Sequence, residues 1–263
     1  MPPIRVVVIG AAGRMGREVV KAVTSESDMA LVAAVDRSSV GSDAGALAGL
    51  QPLGIPITDS LSDALAQSKP DVAVDFSLPD AVLANARAIV AAKVACVTGA
   101  SGLSDGDLKE LASLCQQHQT PALYAPNFAI GAVLMMRFAA EAARHMDAVE
   151  IIELHHAGKL DSPSATAART ARLIADAPDS RVKQHPSADH GPARGTTVEG
   201  IPIHSVRLPG LVAHQEVIFG GLGQTLTIRH DSLGRESFMP GVLLAVRKIR
   251  SRKGLTIGLE NLL

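Results

Sequence analysis

The chain has 263 residues, a formal net charge of −1, 47% hydrophobic residues and 2% aromatic residues. This length suits one large domain or two smaller ones. The near-neutral charge argues against general electrostatic attraction to nucleic acid or to an acidic membrane surface, and few aromatic rings are present on which bases could stack. No apolar run reaches the length of a bilayer span. We therefore predict a globular protein with no nucleic-acid and no membrane partner.

Cysteine usage and the N-terminal segment bear on location. Cys96 and Cys115 lack the spacing of metal ligands, so they predict two reduced thiols in a cytoplasmic protein and no metal site. A strand-like run begins at Ile4, which leaves no room for a signal peptide.

A glycine-rich segment follows the first predicted strand. Residues 4–9 form a β-branched apolar run typical of a buried strand, and Met15, Val19 and Val23 recur at helical spacing after it. Between them lie seven residues, Gly10, Ala11, Ala12, Gly13, Arg14, Met15 and Gly16. A strand, a glycine turn and a helix in this order predict a pyrophosphate site at the helix N-terminus.

The second predicted strand, residues 31–35, ends in Asp36 and Arg37. Asp36 follows Gly16 by twenty residues, where an acidic side chain accepts hydrogen bonds from the adenine ribose of NAD. Arg37 is instead suited to the 2′-phosphate of NADP or to stacking on adenine. The pair therefore leaves the choice between the two cofactors open.

Strands and helices alternate through residue 125, with predicted strands at 71–77, 94–98 and 122–125, the last of which ends at Pro126-Asn127-Phe128. This alternation predicts an α/β fold with a Rossmann-like, doubly wound parallel sheet. Ligands of such sheets bind outside the carboxyl ends of the strands.

The second half begins with a predicted helix at 131–146, followed by a strand at 149–154 and a helix at 167–177. Alternating patterns then predict strands at 201–207, 214–219 and 224–230, and a final helix at 242–249 that returns to the first domain. These elements predict a C-terminal α+β domain with a mixed sheet.

Residues 155–166 concentrate two imidazoles, an ammonium group and a helix N-terminus. Ser162 is predicted as the N-cap with Pro163 at the first helical position, which would leave the N–H groups of Ser164, Ala165 and Thr166 for a ligand carboxylate. His155, His156 and Lys159 are suited to proton transfer or anion binding. A surface loop before a capped helix is the simpler alternative, and the combination slightly favours an anion site.

Several motifs together resemble the 4-hydroxy-tetrahydrodipicolinate reductase (dihydrodipicolinate reductase) family, which serves the diaminopimelate route to lysine. They are the glycine loop, Asp75-Phe76-Ser77, Thr98-Gly99-Ala100-Ser101-Gly102, Ala125-Pro126-Asn127-Phe128, Glu153-Leu154-His155-His156 and Lys159-Leu160-Asp161-Ser162-Pro163-Ser164. The resemblance runs from Val6 to the C-terminus.

The resemblance implies NADH and/or NADPH as cofactor and a small cyclic dicarboxylate as substrate. The implied cofactor residues are Gly10, Ala11, Ala12, Gly13, Arg14, Met15, Gly16, Asp36, Arg37, Phe76, Gly99, Ala100, Ser101, Ala125, Asn127 and Phe128. His155 and Lys159 match the proposed acid–base pair of the family. His156, Lys159, Ser164, Ala165 and Thr166 match its substrate contacts, and Arg207 and Arg235 are further candidates for substrate or interdomain contacts.

The resemblance also implies a domain organisation. Residues 1–127 and 236–263 form the dinucleotide-binding domain, and residues 128–235 form the substrate-binding and oligomerisation domain of a homotetramer. Short connections between two such domains fit a hinge that closes over the substrate.

Ala165 departs from the family, which has glycine at this position in a Ser-Gly-Thr triplet. A Cβ here either crowds a bound carboxylate or points away from it. Two alternatives to the family activity therefore stay open. One is a Rossmann oxidoreductase for a different small cyclic or imino carboxylate, and the other is a non-catalytic NAD(H)-binding sensor.

Overall fold

The computed structural model describes residues 2–182 and 192–263. The chain divides into two compact units. The first comprises Met1–Phe128 and Phe238–Leu263, and the second comprises Ala129–Ser237. The first unit is therefore built from both ends of the chain.

The first unit contains a seven-stranded, fully parallel sheet with strand order β12-β6-β5-β4-β1-β2-β3. Its strands are β1 (Ile4–Ile9), β2 (Met29–Val35), β3 (Ile57–Thr58), β4 (Val72–Asp75), β5 (Ala95–Thr98), β6 (Ala122–Tyr124) and β12 (Leu255–Ile257). Its helices are α1 (Arg14–Ser25), α2 (Ala44–Leu47), α3 (Leu61–Ser68), α4 (Val82–Ala91), α5 (Asp105–His118) and α8 (Met239–Ile249).

The centre of this sheet explains its apolar strands. Val6, Val7 and Val8 are fully buried, as expected for a parallel strand covered on both faces. β1 lies between β4 and β2, so the strand order reverses there and opens a crevice at the carboxyl ends of the strands. The predicted parallel α/β fold is thus confirmed.

One strand of this sheet, β12, was not predicted from the sequence. Leu255 pairs with Ala122 and Ile257 with Tyr124, so β12 adds a parallel edge strand beyond β6. A strand of three residues is too short to show a hydrophobic period, and its pairing with β6 is decided by the fold around it.

The second unit contains a five-stranded mixed sheet with order β11-β10-β7-β9-β8. Its strands are β7 (Ala148–His155), β8 (Thr196–Val198), β9 (Ile201–Arg207), β10 (Ala213–Gly221) and β11 (Gln224–Ser232), and its helices are α6 (Ile130–Ala142) and α7 (Ala165–Ala175). β7 and β9 are parallel and the other pairs are antiparallel, which confirms the predicted mixed sheet.

Burial alternates along β7. Val149, Ile151 and Glu153 are buried, whereas Glu150 and Ile152 are half-buried. α6 packs against β10 and β11, and α7 against β7, β8 and β9. Glu153 is therefore a carboxylate on the inner, helix-covered face of the sheet, opposite the buried polar Gln215 of β10. None of the helices within the described ranges has the length and apolarity required to cross a bilayer.

Candidate active site

The glycine loop connects β1 to α1 in a conformation that side chains would prevent. Gly10 has φ +75°, and a Cβ there would lie 2.7 Å from the Phe76 carbonyl oxygen. A Cβ on Gly16 would lie 2.0 Å from the Gly10 carbonyl oxygen. Gly13 is the N-cap of α1 and offers no side chain for capping. The backbone N–H groups of the first helical turn are therefore left for an anionic ligand.

Asp36 follows β2 and is bonded to the glycine loop. One carboxylate oxygen accepts the Ala12 N–H at 3.0 Å, and the other accepts the N–H and the hydroxyl of Ser38, each at 2.8 Å. An ionised carboxylate has about four lone-pair sites, so Asp36 can accept further hydrogen bonds from a ligand. Arg37 is exposed and forms an ion pair of 3.7 Å with Asp80.

A cavity of about 320 Å³ lies at this end of the sheet. It is lined by Ile9, Gly10, Ala12, Gly13, Val35, Asp36, Arg37, Ser38, Asp59, Leu61, Phe76, Ser77, Leu78, Asp80, Ala81 and Asn85. Six predicted cofactor residues are in this lining: Gly10, Ala12, Gly13, Asp36, Arg37 and Phe76. The size falls in the range of small-molecule sites.

The sequence analysis missed the cavity residues Asp59, Asp80 and Asn85. Asp59 follows β3, a strand of two residues, and Asp80 and Asn85 lie at or near the start of α4. No motif marks these three residues. Their position close to the end of a strand is the sequence feature that could have indicated them.

The remaining predicted cofactor residues belong to the loop ends nearby but do not line the cavity. Ala11 and Gly16 are buried, Met15 is half-buried and Arg14 is exposed in the α1 turn. Ala100 and Ala125 are buried behind the ends of β5 and β6, Ser101 is exposed and Asn127 is half-buried.

Two aromatic rings and a glycine close the ends of β4, β5 and β6. The Phe76 and Phe128 ring centroids are 5.6 Å apart, and a Cβ on Gly99 would lie 2.4 Å from the Phe76 ring and 2.8 Å from the Phe128 ring. Beneath them Asp75 is fully buried. It accepts the Ser77 N–H at 2.7 Å and the Asn85 amide at 3.1 Å, and burial raises its pKa.

In the second unit, Glu153 and Arg207 form a two-point ion pair between the parallel strands β7 and β9. The two Arg207 terminal nitrogens donate to the two Glu153 oxygens at 2.8 and 2.9 Å. Arg207 also donates to the Asp161 carbonyl oxygen at 2.7 Å. Both terminal nitrogens of Arg207 are thus engaged within its own unit.

His155 is bonded through Nδ1 to the Glu153 carboxylate. Burial lowers the pKa of His155, and its hydrogen bond and charge interaction with Glu153 offset this only in part. Burial would raise the pKa of Glu153, but hydrogen bonds from Arg207, Ser205 and His155 outweigh it and the pKa is lowered. Glu153 is therefore ionised and His155 neutral near pH 7.

Lys159 lies in the loop between β7 and α7. Its ammonium group bonds both oxygens of Asp161, at 2.7 and 2.8 Å, and this contact lowers the pKa of Asp161. The Lys159 side chain is 21% exposed, and the nearby His156 is exposed. Lys159 is thus accessible to a ligand while being held by a neighbour.

The predicted N-cap at Ser162 is wrong. Ser164 caps α7, its hydroxyl accepting the Ala167 N–H at 3.1 Å, and Pro163 lies before the helix. The Ser164 N–H donates to Glu153 at 3.3 Å and so is not left for a ligand. Ala165 and Thr166 are the first two residues of α7. Ser162 and Ser164 are both suitable N-cap residues. The hydrogen bond from the Ser164 N–H to Glu153 fixes the helix start at Ser164.

Within residues 2–182 and 192–263, no group of His, Cys, Asp and Glu side chains is arranged to hold a metal ion. Arg235 begins a short 3₁₀ helix, Arg235–Phe238. The contact between Glu153 and His155 was also not predicted, although Glu153 stands two residues before His155. A strand period of two places such residues on the same face, which was the available signal.

A parallel sheet with a glycine turn, a cavity at its strand-order reversal and an acidic residue after β2 defines a nicotinamide-dinucleotide-binding oxidoreductase. Comparison with family models specifies the group. The dihydrodipicolinate reductase N-terminal model matches residues 4–128, and the C-terminal model of the same family matches residues 131–263. The chain belongs to the dihydrodipicolinate reductase family.

Individual relatives match this chain over nearly their whole length. The chain is 52% identical over 261 residues to 4-hydroxy-tetrahydrodipicolinate reductase of Moorella thermoacetica, covering 99% of this chain and 98% of the relative. The Listeria monocytogenes protein of the same name is 48% identical over 264 residues, covering 99% and 100%.

Among solved structures, dipicolinate-bound dihydrodipicolinate reductase from Paenisporosarcina sp. TG-14 superposes with a TM-score of 0.86 at 42% identity, covering 99% of this chain and all of the other. An amine dehydrogenase from Mycobacterium smegmatis, at 18% identity and TM-score 0.68, shares the fold, with 96% and 94% of the two chains covered.

Proposed function

We propose that this chain reduces 4-hydroxy-tetrahydrodipicolinate to tetrahydrodipicolinate with a reduced nicotinamide cofactor. The observation that carries the proposal is full-length membership of the family together with the retained His155, His156 and Lys159 segment. In this reaction the substrate loses water to give a conjugated imine. The imine accepts a hydride at a ring carbon, and negative charge develops toward the ring nitrogen.

The first unit fits the cofactor because close backbone packing at Gly10 and Gly16 shapes the turn, and the N-cap Gly13 leaves the start of α1 without a capping side chain. When bound, the reduced nicotinamide supplies the hydride. We assign the pyrophosphate to the first turn of α1 and the adenosine to Asp36 and Arg37. Phe76, Gly99 and Phe128 form an apolar wall suited to a planar ring.

Lys159 is the proposed proton donor to the ring nitrogen. His155 is neutral near pH 7 because burial lowers its pKa, so its Nε2 is an acceptor rather than a donor. The Lys159 ammonium group, on a side chain that is 21% exposed, would turn from Asp161 toward the ligand to donate a proton. We assign His155 to orient the substrate and, after its Nε2 has taken a proton from solvent, to pass that proton to the deprotonated Lys159.

The substrate carboxylates are assigned to His156 and to the start of α7, at Ser164, Ala165 and Thr166. The N-terminus of a helix attracts negative charge. The Paenisporosarcina relative was solved with dipicolinate, a dicarboxylate of similar shape. Ser164 contributes as the cap that holds the helix start in place, since its own N–H is bonded to Glu153.

We further propose that both NADH and NADPH are accepted, because Asp36 retains acceptor capacity and Arg37 is exposed beside it. We assign substrate binding to the second unit, Ala129–Ser237. The open face of its sheet, which includes the half-buried Ile152 and Leu154, is proposed as the contact surface of a homotetramer.

The free, buried Cys96 and Cys115 fit the reducing cytoplasm.

The test is steady-state oxidation of NADH and of NADPH, with substrate generated in situ by the synthase that precedes this step. Rapid turnover with either cofactor is expected. A folded protein that binds cofactor but turns over no substrate would contradict the proposal. Turnover on another cyclic imino carboxylate would then indicate a different substrate, and binding without any turnover would indicate a sensor.

A further inference from the structure

Glu153 is a fully buried carboxylate that the proposed reaction does not itself use. It accepts hydrogen bonds from both terminal nitrogens of Arg207, from the Ser164 N–H and from His155. Burying a carboxylate is costly unless a counter-charge and hydrogen bonds compensate it. Arg207 supplies the charge, and the other two donors belong to the site that we assign to the substrate.

The contact with Glu153 determines which nitrogen of His155 carries the proton. Hydrogen bonds hold Glu153 ionised, and an ionised carboxylate only accepts hydrogen bonds. Nδ1 of His155 must therefore be the donor, which leaves a lone pair on Nε2. A carboxylate behind a functional histidine fixes both its tautomer and its ring orientation in this way.

The same ion pair holds both ends of the loop that carries Lys159. Arg207 donates to the Asp161 carbonyl oxygen at 2.7 Å, and Asp161 in turn binds the Lys159 ammonium group. At the other end, Glu153 accepts the Ser164 N–H at the start of α7. One charge pair thus connects β7, β9, the loop and the helix start.

We propose that Glu153 and Arg207 form a positioning pair for the reduction. Glu153 holds His155 in the Nδ1–H tautomer, and Arg207 keeps Glu153 ionised while fixing the loop through Asp161. The inference rests on the proposed roles of His155 and Lys159.

The pair also predicts a change in pH dependence. The charged groups that act on His155 are Glu153 on β7, Lys159 in the loop and Arg207 on β9. Opposite His155 in the sheet, β10 contributes the uncharged Ala213. Loss of the Glu153 charge leaves two cations, which lower the pKa of His155 further. The limb of the pH–activity profile that follows the ionisation of His155 therefore moves to lower pH.

The variant Glu153→Gln keeps the shape and removes the charge. Its amide nitrogen would donate to Nδ1 and force the proton to Nε2. We expect kcat to fall by about 100-fold or more with the KM for NADH unchanged, and the His155 limb to move to lower pH. Nitrogen NMR of the His155 ring should show a change from the Nδ1–H to the Nε2–H tautomer, a readout independent of turnover.

Glu150→Gln is the matched control. Glu150 lies on the same strand and also bonds a histidine and an arginine, His204 and Arg194, but it makes no contact with His155. We expect normal kcat and an unchanged His155 tautomer, with the oligomeric state of both variants compared by size-exclusion chromatography.

Wild-type kcat, pH profile and tautomer in Glu153→Gln would overturn the inference. If Glu153→Gln does not fold, Arg207→Lys tests the inference instead, because a lysine keeps the positive charge but cannot make both hydrogen bonds to Glu153 in the arginine geometry. A folded Arg207→Lys with reduced kcat supports the pair, and normal kcat overturns it. His155→Ala separates the two proposals: full turnover there rejects the proposed role of His155, whereas loss there with a normal Glu153→Gln rejects the pair alone.

Discussion

The two loops that carry the proposed site are built in opposite ways. Residues 10–16 owe their shape to missing side chains, since a Cβ at Gly10 or Gly16 would lie within 2.7 Å of a backbone oxygen. Residues 156–164 owe theirs to side chains outside the loop, Glu153 on the preceding strand β7 and Arg207 on the distant strand β9. The first is a local solution that seven residues specify. The second depends on β7 and β9 having paired first.

Two carboxylates show the same contrast. Asp36 and Glu153 each accept a backbone N–H from a functional loop, Ala12 in one case and Ser164 in the other. Asp36 is only half-buried and accepts a hydrogen bond from the neighbouring Ser38 N–H. Glu153 is fully buried and requires Arg207. Changes in the first loop should therefore affect cofactor binding, and changes in the second should affect turnover.

The largest effect is expected for Lys159→Ala. Loss of the proposed proton donor should lower kcat by about 10² to 10⁴-fold while cofactor affinity stays the same. Lys109→Ala, which removes an exposed lysine of α5, is the control and should leave kcat unchanged. Steady-state kinetics and NADH titration of both variants check the prediction. Near-normal turnover in a folded Lys159→Ala would reject its assigned role.

Gly16→Ala changes the first loop and should therefore affect cofactor binding. The new Cβ would lie 2.0 Å from the Gly10 carbonyl oxygen, so the turn must shift. Overpacking of this kind costs about 1 to 3 kcal/mol, which corresponds to roughly 5 to 150-fold weaker NADH binding if the strain falls on the binding conformation.

Gly106→Ala is the matched control for Gly16→Ala. Gly106 lies in the first turn of α5, and the nearest atom to its Cβ position is 3.6 Å away, an ordinary contact. Fluorescence titration with NADH should show a loss for Gly16→Ala alone. Equal affinity in the two variants would show that close helix–strand packing is not required for the site.

Asp36→Ala and Arg37→Ala should separate the two cofactors. Removing Asp36 leaves the Ala12 N–H without its acceptor and removes a charged acceptor for the ribose, so the KM for NADH should rise about tenfold. Removing Arg37 should raise the KM for NADPH more than that for NADH. If the ratio of the KM for NADH to the KM for NADPH is unchanged in both variants, the assignment of Asp36 and Arg37 to the adenosine end is contradicted. The KM for the dicarboxylate substrate is the internal control and should not change.

Ala165→Gly should have the smallest effect. Ala165 is the first residue of α7 and its side chain is exposed, so we expect the substrate KM to change by no more than about threefold. A fall of tenfold or more would mean that the methyl group crowds the carboxylate and that the natural substrate differs. Thermal unfolding of the variant controls for helix stability, because glycine weakens a helix.

The order of the elements in the first unit could be predicted because its signals are local. Residues 4–9 are apolar at every position, and glycines follow at once, so the strand, turn and helix each appear in a short window. The helix start at α7 could not be settled in the same way. Ser162 and Ser164 are both suitable caps, and only the contact of Ser164 with Glu153 distinguishes them.

By itself, the sequence determined the parallel α/β unit, the mixed sheet that follows it, the glycine turn and the segment that holds His155 and Lys159. These features depend on hydrophobic period, on glycine and on motif, which are properties of neighbouring residues. The tertiary structure alone decided the edge strand β12, the cap at Ser164 and the partner of Glu153. Each of these depends on a contact across many residues, as between Glu153 and Arg207, which only the pairing of β7 with β9 creates.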